Sequence, residues 1–168
     1  MTNQPPRRDE YFTTIDSPIG RLLLIGDHQS LTGLYMDEAH DYADQRSSRT
    51  EDADKFGAAI EQLEDYFAGN SNGFDLALAP AGTDFQRAVW DALTTIPHGE
   101  TRSYGQIAAQ IGRPKAARAV GMANNRNPIA VVIPCHRVIG ADGSMVGYAG
   151  GLDRKNWLLD HERRLAAA

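Results

Sequence analysis

The chain has 168 residues, of which 42% are hydrophobic, and this length suits one medium-sized domain or two small ones. No apolar run approaches the roughly 18 residues that cross a bilayer, and the first residues, MTNQPPRRDEYF, are polar, so the sequence predicts a cytoplasmic protein with no membrane partner. The net charge of −5 argues against a uniformly basic nucleic-acid-binding surface, and the single cysteine excludes an internal disulfide.

Charge is distributed unevenly along the chain. Residues 1–83 hold 6 Lys and Arg against 15 Asp and Glu, whereas residues 84–168 hold 11 against 7. An acidic half followed by a basic half predicts two domains, 1–82 and 83–168, of which only the second is suited to meet phosphates. A solvated acidic surface with no nucleic-acid partner explains the same asymmetry, so charge alone leaves both interpretations open.

The chain is predicted to begin with a β-meander. Three strand-like runs lie within residues 11–36, separated by the turn Ser17-Pro18-Ile19-Gly20 and by the polar residues 27–30. Residues 37–52 contain nine charged residues or histidines, which predicts a mobile loop whose function the sequence does not reveal.

A helix and one more strand are predicted to complete the first half. Helical spacing of apolar residues predicts a helix over 53–68 that ends at Gly69. Its predicted core-facing residues are Phe56, Ile60, Leu63 and Phe67. Residues 74–80, FDLALAP, alternate in the manner of a half-buried strand.

Capping-box spacings predict helices in the second half. Thr83-Asp84-Phe85-Gln86 opens a helix that ends near Pro97-His98-Gly99, and Ser103-Tyr104-Gly105-Gln106 opens a shorter one. The turn Gly112-Arg113-Pro114 follows, and then a helix over 115–123 with Pro114 near its first position. Two short helices around a glycine turn are typical of a helix-turn-helix that binds DNA, and also of a helical hairpin packed in a core.

The cysteine lies in the segment with the most chemical information, residues 129–138, IAVVIPCHRV. An apolar run ends at Pro134, and Cys135 and His136 follow. Adjacent residues of extended chain point to opposite sides, so we expect a bridging water to carry the proton between thiol and imidazole. The imidazole then needs an orienting carboxylate, for which the predicted helix 153–165, with His161 and Glu162, offers candidates. A lone cysteine is often a small buried hydrophobe, so the pattern by itself leaves a structural role open.

The segment Pro134-Cys135-His136-Arg137-Val138 resembles the signature of the O6-alkylguanine-DNA alkyltransferases, also called methylated-DNA–protein-cysteine methyltransferases. Residues 1–82 resemble the family more weakly. Over residues 83–162, further matches occur in the family's order, and they include TDFQ at 83–86, IPHGE at 96–100, SY at 103–104, AARAVG at 116–121, NP at 127–128, GY at 147–148, GGL at 150–152 and WLLDHE at 157–162. The resemblance implies an α+β fold. An N-terminal ribonuclease H-like domain of β-meander and helix precedes a C-terminal winged helix-turn-helix-type domain that carries the active cysteine.

The resemblance also implies the reaction. Cys135 takes an alkyl group from O6 of guanine in DNA, His136 removes the thiol proton through water, and Glu162 holds His136. One protein repairs one base without a cofactor, and whether O4-alkylthymine is also a substrate stays open. The alkylated base lies in double-stranded DNA, is reached from the minor groove and is flipped out of the stack. We expect a monomer in solution, and cooperative assembly on DNA stays open.

Family positions carry over to further residues. Arg118 corresponds to the arginine that fills the gap left by the flipped base, and Asn127 to the asparagine that ties the recognition helix to the cysteine segment. The implied base-pocket residues are Tyr104, Asn127, Val138, Tyr148 and Ala149. The implied DNA-binding residues beside Arg118 are Ser103, Ala116, Ala117 and Gly121.

Two departures from relatives bear on these expectations. Ala149 stands where some relatives have a serine, which removes a side-chain hydroxyl contact to the lesion and leaves inhibitor preference open. Some relatives bind zinc in the N-terminal domain through cysteines and histidines. Residues 1–82 here have no cysteine and only His28 and His40, so no metal site is expected.

Three other classes of protein compete with this interpretation. Alkyltransferase-like proteins keep the fold but replace the nucleophile, commonly with tryptophan, and Cys135 argues against them. A transcription factor would use the helix-turn-helix alone, without chemistry at the cysteine. A cysteine hydrolase is disfavoured by the adjacency of Cys135 and His136 and by the paired DNA-binding helices.

Overall fold

A computed structural model describes residues 9–36 and 42–168 of the chain. The elements follow one another as strands β1 (Tyr11–Ile15), β2 (Leu22–Gly26) and β3 (Leu31–Met36), helix α1 (Ala43–Ser47), strand β4 (Thr50–Glu51), helices α2 (Gly57–Ala68) and α3 (Asp84–Leu93), strand β5 (Arg102–Ser103), helices α4 (Tyr104–Gln110) and α5 (Ala117–Asn125), strand β6 (Val138–Ile139) and helix α6 (Leu152–Ala166). The predicted α+β class is confirmed. Within the described residues, no helix has both the length and the apolar character needed to span a bilayer.

The predicted meander is confirmed. Strands β1, β2 and β3 pair antiparallel in sequence order, and β4 adds in parallel to the free side of β1. All five residues of β2 are buried because this strand is central and covered on both faces.

The prediction of a mobile loop over 37–52 is wrong for its second part, while residues 37–41 lie outside the described residues. Residues 43–47 form α1, and 50–51 form β4. High charge suggested disorder, yet part of that charge is paired. Arg49 Nη2 lies 2.8 Å from Glu10 Oε2, with both side chains mostly covered, and this ion pair holds the segment against β1.

The predicted helix and its glycine end are confirmed, but the helix is rotated from its predicted orientation. A 3₁₀ turn over Ala53–Phe56 leads into α2, and Gly69 caps it with a φ of 81°. The buried face of α2 carries Ala59, Leu63 and Tyr66, whereas Ile60 and Phe67 are only half-buried. The strand predicted over 74–80 reduces to one bridge, between Leu31 and Leu78.

Both capping boxes are present, at Thr83 for α3 and at Ser103 for α4. The helix after the turn begins later than predicted. The backbone N–H of Ala116 donates to the Arg113 carbonyl at 2.9 Å, so Pro114 lies within a turn and α5 begins at Ala117. Helices α3, α4 and α5 pack together, and Trp90 Nε1 donates to the Ala123 carbonyl at 2.9 Å.

The N-terminal sheet supports the chain that leads to the cysteine. The Leu34 N–H donates to the Pro128 carbonyl at 2.8 Å, and the Ala130 N–H donates to the Leu34 carbonyl at 3.1 Å. On the other side of the cysteine, β6 pairs in parallel with β5, which directly precedes α4. The cysteine segment is therefore held between the N-terminal sheet and the helix-turn-helix. The division into domains at 82/83 stays a prediction.

Candidate active site

The cysteine segment consists of tight turns and is not extended chain. The Val132 N–H donates to the Ala130 carbonyl and the Cys135 N–H to the Ile133 carbonyl, both at 2.8 Å, which makes two consecutive three-residue turns. Val131, at the centre of the first, has a φ of 70°, where β-branched residues are rarely found. Asn127 braces these turns, because its Nδ2 donates to the Ile133 carbonyl at 2.8 Å. Cys135–Arg137 then form one 3₁₀ turn.

Cys135 lies at a small cavity between the two halves of the chain. The residue is only 5% exposed, and the cavity has a volume of about 30 Å³. The C-terminal half contributes Asn124, Asn125, Asn127, Ala130, Cys135, Tyr148, Ala149 and Gly150 to its lining. The N-terminal half contributes residues of β3 and Tyr42, so both halves shape the space in front of the thiol.

A buried network of charged and polar groups lies behind the thiol and centres on Glu162. His136 Nε2 lies 2.7 Å from Glu162 Oε1, and both side chains are almost fully buried. Arg137 donates from Nε to Oε2 and from Nη2 to Oε1, each at 2.8 Å. The Tyr66 hydroxyl donates to Oε1 at 2.7 Å. Three side chains therefore fix both oxygens of one carboxylate.

Burial sets the resting protonation states of the site. Burial opposes ionisation of Glu162, but hydrogen bonds from His136 and Arg137 outweigh it and hold the pKa of this carboxyl well below its usual range. Burial lowers the pKa of His136 and raises the pKa of the Cys135 thiol. The site at rest therefore contains a thiol, a neutral imidazole and a carboxylate.

These states determine which imidazole nitrogen accepts a proton. A carboxylate only accepts hydrogen bonds, so His136 Nε2 carries the hydrogen that is directed at Glu162. His136 Nδ1 is then an acceptor, and among the described residues it has no hydrogen-bond partner although it is buried. An unpartnered basic nitrogen one residue from the thiol suits a proton relay through water.

Lys155 ties the loop before Tyr148 to the cysteine segment. It is fully buried, and its ammonium donates to the carbonyls of Val138 at 2.6 Å, Val146 at 3.3 Å and Gly147 at 3.4 Å. Burial lowers the pKa of Lys155, while its charge partly opposes the effect of burial on the pKa of Cys135. The lysine thus stabilises a thiolate and positions the loop.

The residues predicted for the base pocket differ in how they meet the cavity. Asn127, Tyr148 and Ala149 line it together with Cys135. The Tyr148 hydroxyl is buried beside the thiol and, within the described residues, has no hydrogen-bond partner of good geometry. The Tyr104 hydroxyl donates to the Val146 carbonyl at 2.9 Å. Val138 is fully buried in β6, and its carbonyl accepts from Lys155.

The residues predicted to bind DNA lie around α4 and α5. Ser103 and Ala116 are the N-terminal caps of these helices, and Arg118 is exposed on the first turn of α5. Gly121 faces the Tyr104 ring, which an added Cβ would meet at 3.7 Å. The exposed basic residues on or beside these helices are Arg113, Lys115, Arg118 and Arg126. No acidic residue occurs between Glu100 and Asp142, so this stretch of the chain is purely basic.

Sequence reasoning assigned no role to four polar residues that the structure places at the site: Tyr66, Asn124, Arg137 and Lys155. Arg137 belongs to the recognised motif, but its partner Glu162 lies 25 residues away. Lys155 and Glu162 lie on the buried face of α6, together with Leu158 and Leu159. A polar or charged residue on an otherwise apolar helical face could therefore have indicated Lys155 on α6 and Asn124 on α5 from the sequence.

Tyr66→Phe is expected to lower the free energy of unfolding by about 1.5–3 kcal/mol, the usual worth of a hydrogen bond to a charged group. The change removes only the hydroxyl that donates to Glu162 and leaves the ring among Phe67, Phe74 and His161. Urea denaturation of both proteins measures the difference. Tyr11→Phe is the control, because its hydroxyl lies 3.2 Å from exposed His28 and should contribute much less. Equal losses in the two variants would contradict the assignment.

The fold and the site together define a class of protein. A helix-turn-helix with a basic surface lies beside a buried cysteine, and the histidine that follows this cysteine is held by a buried carboxylate. Within residues 9–36 and 42–168, no three His, Cys, Asp or Glu side chains come close enough to hold a metal ion. These features are typical of a DNA-binding protein that uses a cysteine in its reaction.

Comparison with known proteins identifies the family within this class. Residues 11–80 match the ribonuclease-like domain, and residues 84–164 the DNA binding domain, of 6-O-methylguanine DNA methyltransferase. The chain is 57% identical over 157 residues, 94% of each chain, to a methylated-DNA–protein-cysteine methyltransferase of Mycolicibacterium paratuberculosis. It is similar to the crystal structure of Mycobacterium tuberculosis O6-methylguanine methyltransferase, with a TM-score of 0.87 and 55% identity over 92% of this chain and 93% of that one.

A second similar structure contains nucleic acid. Mycobacterium tuberculosis OGT in complex with DNA gives a TM-score of 0.86 at 54% identity, covering 92% of this chain and 94% of that one. The chain belongs to the O6-alkylguanine-DNA alkyltransferase family, also called methylated-DNA–protein-cysteine methyltransferases.

Proposed function

We propose that this chain is a DNA-repair protein that transfers methyl and other alkyl groups irreversibly from O6 of guanine in DNA to its own Cys135. The activity is that of a methylated-DNA–protein-cysteine S-methyltransferase. The observation that carries the mechanism is the state of His136. Its Nε2 is held 2.7 Å from the Glu162 carboxylate, while its Nδ1 is buried and has no hydrogen-bond partner among the described residues.

The chemistry is a displacement at the alkyl carbon. The thiol proton passes through water to His136 Nδ1, and the ionised Glu162 stabilises the imidazolium that forms. A sulfur lone pair forms the new S–C bond while the C–O6 bond breaks, and the bonding pair leaves with guanine. Guanine then takes up one proton to become the normal base. The Tyr104 hydroxyl, which donates to the Val146 carbonyl in this structure, donates to the guanine ring when the base is bound.

The reaction ends after one turnover. The product is a thioether, which is a poor leaving group, and the chain has no second cysteine to displace it. One protein molecule therefore repairs one base, and no cofactor takes part. Loss of activity with each repair makes the protein a suicide enzyme.

Double-stranded DNA with an alkylated base is the partner, bound through the minor groove by the helix-turn-helix. The small residues Ala116, Ala117 and Gly121 allow α5 to approach the backbone closely, and Arg118 fills the gap left by the flipped guanine. Binding through backbone and lesion makes little use of sequence. We propose a cytoplasmic protein that is a monomer in solution.

Mass spectrometry tests the function directly. Incubation with an oligonucleotide that contains O6-methylguanine should add the mass of one CH₂ unit, and digestion should locate it on the peptide with Cys135. Transfer should stop at one methyl group per protein molecule. A protein that binds this DNA and keeps its mass would be an alkyltransferase-like or regulatory protein, and turnover beyond one would exclude the single-use mechanism.

DNA affinity is expected to fall steeply with salt. A log–log slope of about −3 to −5 follows from a few phosphate contacts by the counterion-release rule, in keeping with the exposed basic residues of 113–126. Fluorescence anisotropy at several salt concentrations measures the slope. Charge reversal on the acidic N-terminal half, for example Asp52→Lys, should leave that slope unchanged. A slope near zero would contradict binding through this surface.

Arg118→Ala is expected to slow transfer from duplex DNA, because the extrahelical base is no longer held out. Transfer from the free base O6-benzylguanine needs no flipping and should stay near the wild-type rate. A lesion in a mismatch bubble should recover part of the lost rate, since less of the flipping cost of a few kcal/mol remains. The rates of methyl or benzyl transfer on the three substrates measure these effects.

Arg126→Ala is the matched control, because it removes another exposed positive charge, at the end of α5. Loss of a phosphate contact alone should weaken binding to all duplexes and flatten the salt slope by about one. If Arg118→Ala loses rate equally on the duplex, the bubble and the free base, Arg118 stabilises the fold or the active site and does not hold the base out.

A further inference from the structure

The loop over residues 147–151, here called the pocket loop, is held at both ends by consecutive residues of α6. Lys155 holds its start, because the ammonium donates to the Gly147 carbonyl at 3.4 Å. Arg154 holds its other end, because Nη1 donates to the Gly150 carbonyl at 3.0 Å. The proposed mechanism gives Arg154 no part in the reaction.

The same guanidinium reaches the N-terminal half of the chain. Arg154 Nε donates at 2.7 Å to the carbonyl of Ile19, a buried residue of the turn between β1 and β2. That turn is itself closed, because the Gly20 N–H donates to the Ser17 carbonyl at 3.0 Å. A guanidinium presents its N–H donors in a rigid planar fork, so Arg154 fixes the position of the pocket loop relative to this turn.

A second contact places the pocket loop against the N-terminal sheet. Gly150 lies so close to Met36 of β3 that a Cβ added at Gly150 would collide with the methionine sulfur. Met36 is buried and lines the cavity together with Cys135 and Tyr148. The N-terminal half therefore supports the pocket loop at two points, the Arg154 bridge and the packing of Met36.

The composition of the pocket loop explains why it needs such support. Three of its five residues, GYAGG, are glycines, which lose more conformational freedom on ordering than any other residue. Inside the loop, the Gly151 N–H donates to the Tyr148 carbonyl at 2.9 Å. A loop of this composition favours many arrangements, and the bridge to the turn selects one of them.

From these contacts we propose that Arg154 is a positioning residue for alkyl transfer. It ties the pocket loop to the turn between β1 and β2, and so keeps one wall of the base pocket in place before the base enters. This inference rests on the proposed function and deepens it, because it gives the N-terminal half a part in base binding. Arg154 acts through the loop and takes no part in the proton transfer between Cys135 and His136.

Arg154→Met is expected to weaken binding of the base and to leave the chemical step unchanged. Methionine retains an unbranched apolar side chain but has no donor for either carbonyl. A loop that occupies its base-binding arrangement about a tenth of the time lowers the apparent affinity about tenfold. The half-saturating concentration of the free base O6-benzylguanine should rise by that factor, while the maximal rate of benzyl transfer and its pH profile stay close to wild type.

Hydrogen exchange measures the coupling without any transfer reaction. The amides of Gly151 and Gly20 are each hydrogen-bonded, and they lie at the two ends of the Arg154 bridge. Both amides should exchange faster in Arg154→Met than in wild type, because each end can open without the other. Amides in the middle of α6 should keep their wild-type exchange rates.

Arg163→Met is the matched control. It removes the same charge from the same helix, at a mostly exposed position where Arg163 Nη1 lies 4.0 Å from Asp160 Oδ1. The half-saturating concentration, the maximal rate and the exchange rates should all stay at their wild-type values. Arg154→Lys should recover part of the lost affinity, because an ammonium still donates but lacks the fork that spans two carbonyls.

Equal half-saturating concentrations in wild type and Arg154→Met would overturn the assignment of Arg154, and so would an unchanged exchange rate at Gly151. Faster exchange in the middle of α6 as well would show that Arg154 stabilises the whole fold, which also overturns the assignment. A wild-type protein that takes no methyl group from O6-methylguanine DNA would overturn the proposed function itself. In that case the exchange rates of Gly151 and Gly20 would still decide whether Arg154 couples the loop to the turn.

Discussion

Cys135→Ser is expected to abolish alkyl transfer and to leave DNA binding intact. A serine hydroxyl is far less ionised at neutral pH than a thiol, and the Cys135 side chain already lies in a buried site that disfavours the anion. The two side chains have nearly the same shape, so the turns that hold residue 135 should persist. The mass of the protein after incubation with O6-methylguanine DNA measures the transfer.

Two measurements make the result for Cys135→Ser specific. Affinity for undamaged duplex and the midpoint of thermal unfolding should stay close to wild type, because the cysteine contributes little to either. Methyl transfer by the purified serine variant at anything near the wild-type rate would exclude Cys135 as the acceptor. A DNA-binding protein without chemistry at residue 135, such as a transcription factor, would show no difference between wild type and Cys135→Ser in any of these measurements.

Glu162→Gln is expected to slow transfer by about 10²-fold or more, in line with the usual contribution of a positioned general base. The carboxylate is the acceptor for His136 Nε2, and a neutral amide neither fixes that tautomer nor stabilises the imidazolium. The pKa of the thiol, followed through its rate of alkylation by O6-benzylguanine against pH, should rise. An unchanged pH profile would leave Glu162 as a structural residue only.

The stability of this variant needs its own control. Glu162→Gln leaves Arg137 as a buried cation without a counter-ion, which costs about 3–5 kcal/mol when one partner of a buried pair is removed. Combining it with Arg137→Met removes both charges and should restore part of the stability without restoring the transfer rate. Arg137→Met alone keeps Glu162 and His136 and should retain more activity than either variant that lacks the carboxylate.

The pH dependence of the free energy of unfolding gives an independent test of the ionisation of Glu162. Its pKa in the folded protein is depressed, so its contribution to stability is present above the unfolded value of about 4.3 and is lost as the pH falls through the folded value. The difference in unfolding free energy between wild type and Glu162→Gln should therefore narrow as the medium becomes more acidic than about pH 4.

Short-range patterns in the sequence predicted much of this structure. The capping boxes at Thr83 and Ser103, the glycine that ends α2 and the meander are properties of a few neighbouring residues, and each was found where predicted. The contact between His136 and Glu162 could be predicted because the family resemblance already connects Glu162 with Cys135 and His136. The roles assigned to these three residues remain predictions until the variants are measured.

What the sequence could not supply depends on distant partners. Residues 43–51 read as disordered because their charge is high, and only the position of Glu10 reveals that Arg49 is paired. The face of α2 was misjudged because Phe67 is more hydrophobic than Tyr66, yet the tyrosine is buried to reach Glu162. Lys155 and Asn124 are polar residues on apolar helical faces, and single-sequence reasoning treats such positions as surface.

The hydrogen bond between Tyr66 and Glu162 also bears on the order in which the protein acquires reactivity. These residues are 96 positions apart, with Cys135 between them, so a chain under synthesis holds its cysteine before it holds the carboxylate. Until α6 has docked, His136 Nε2 has no carboxylate partner. The pair of histidine and carboxylate next to Cys135 is therefore completed only by the last helix of the chain, so this site is assembled after the rest of the protein has been synthesised.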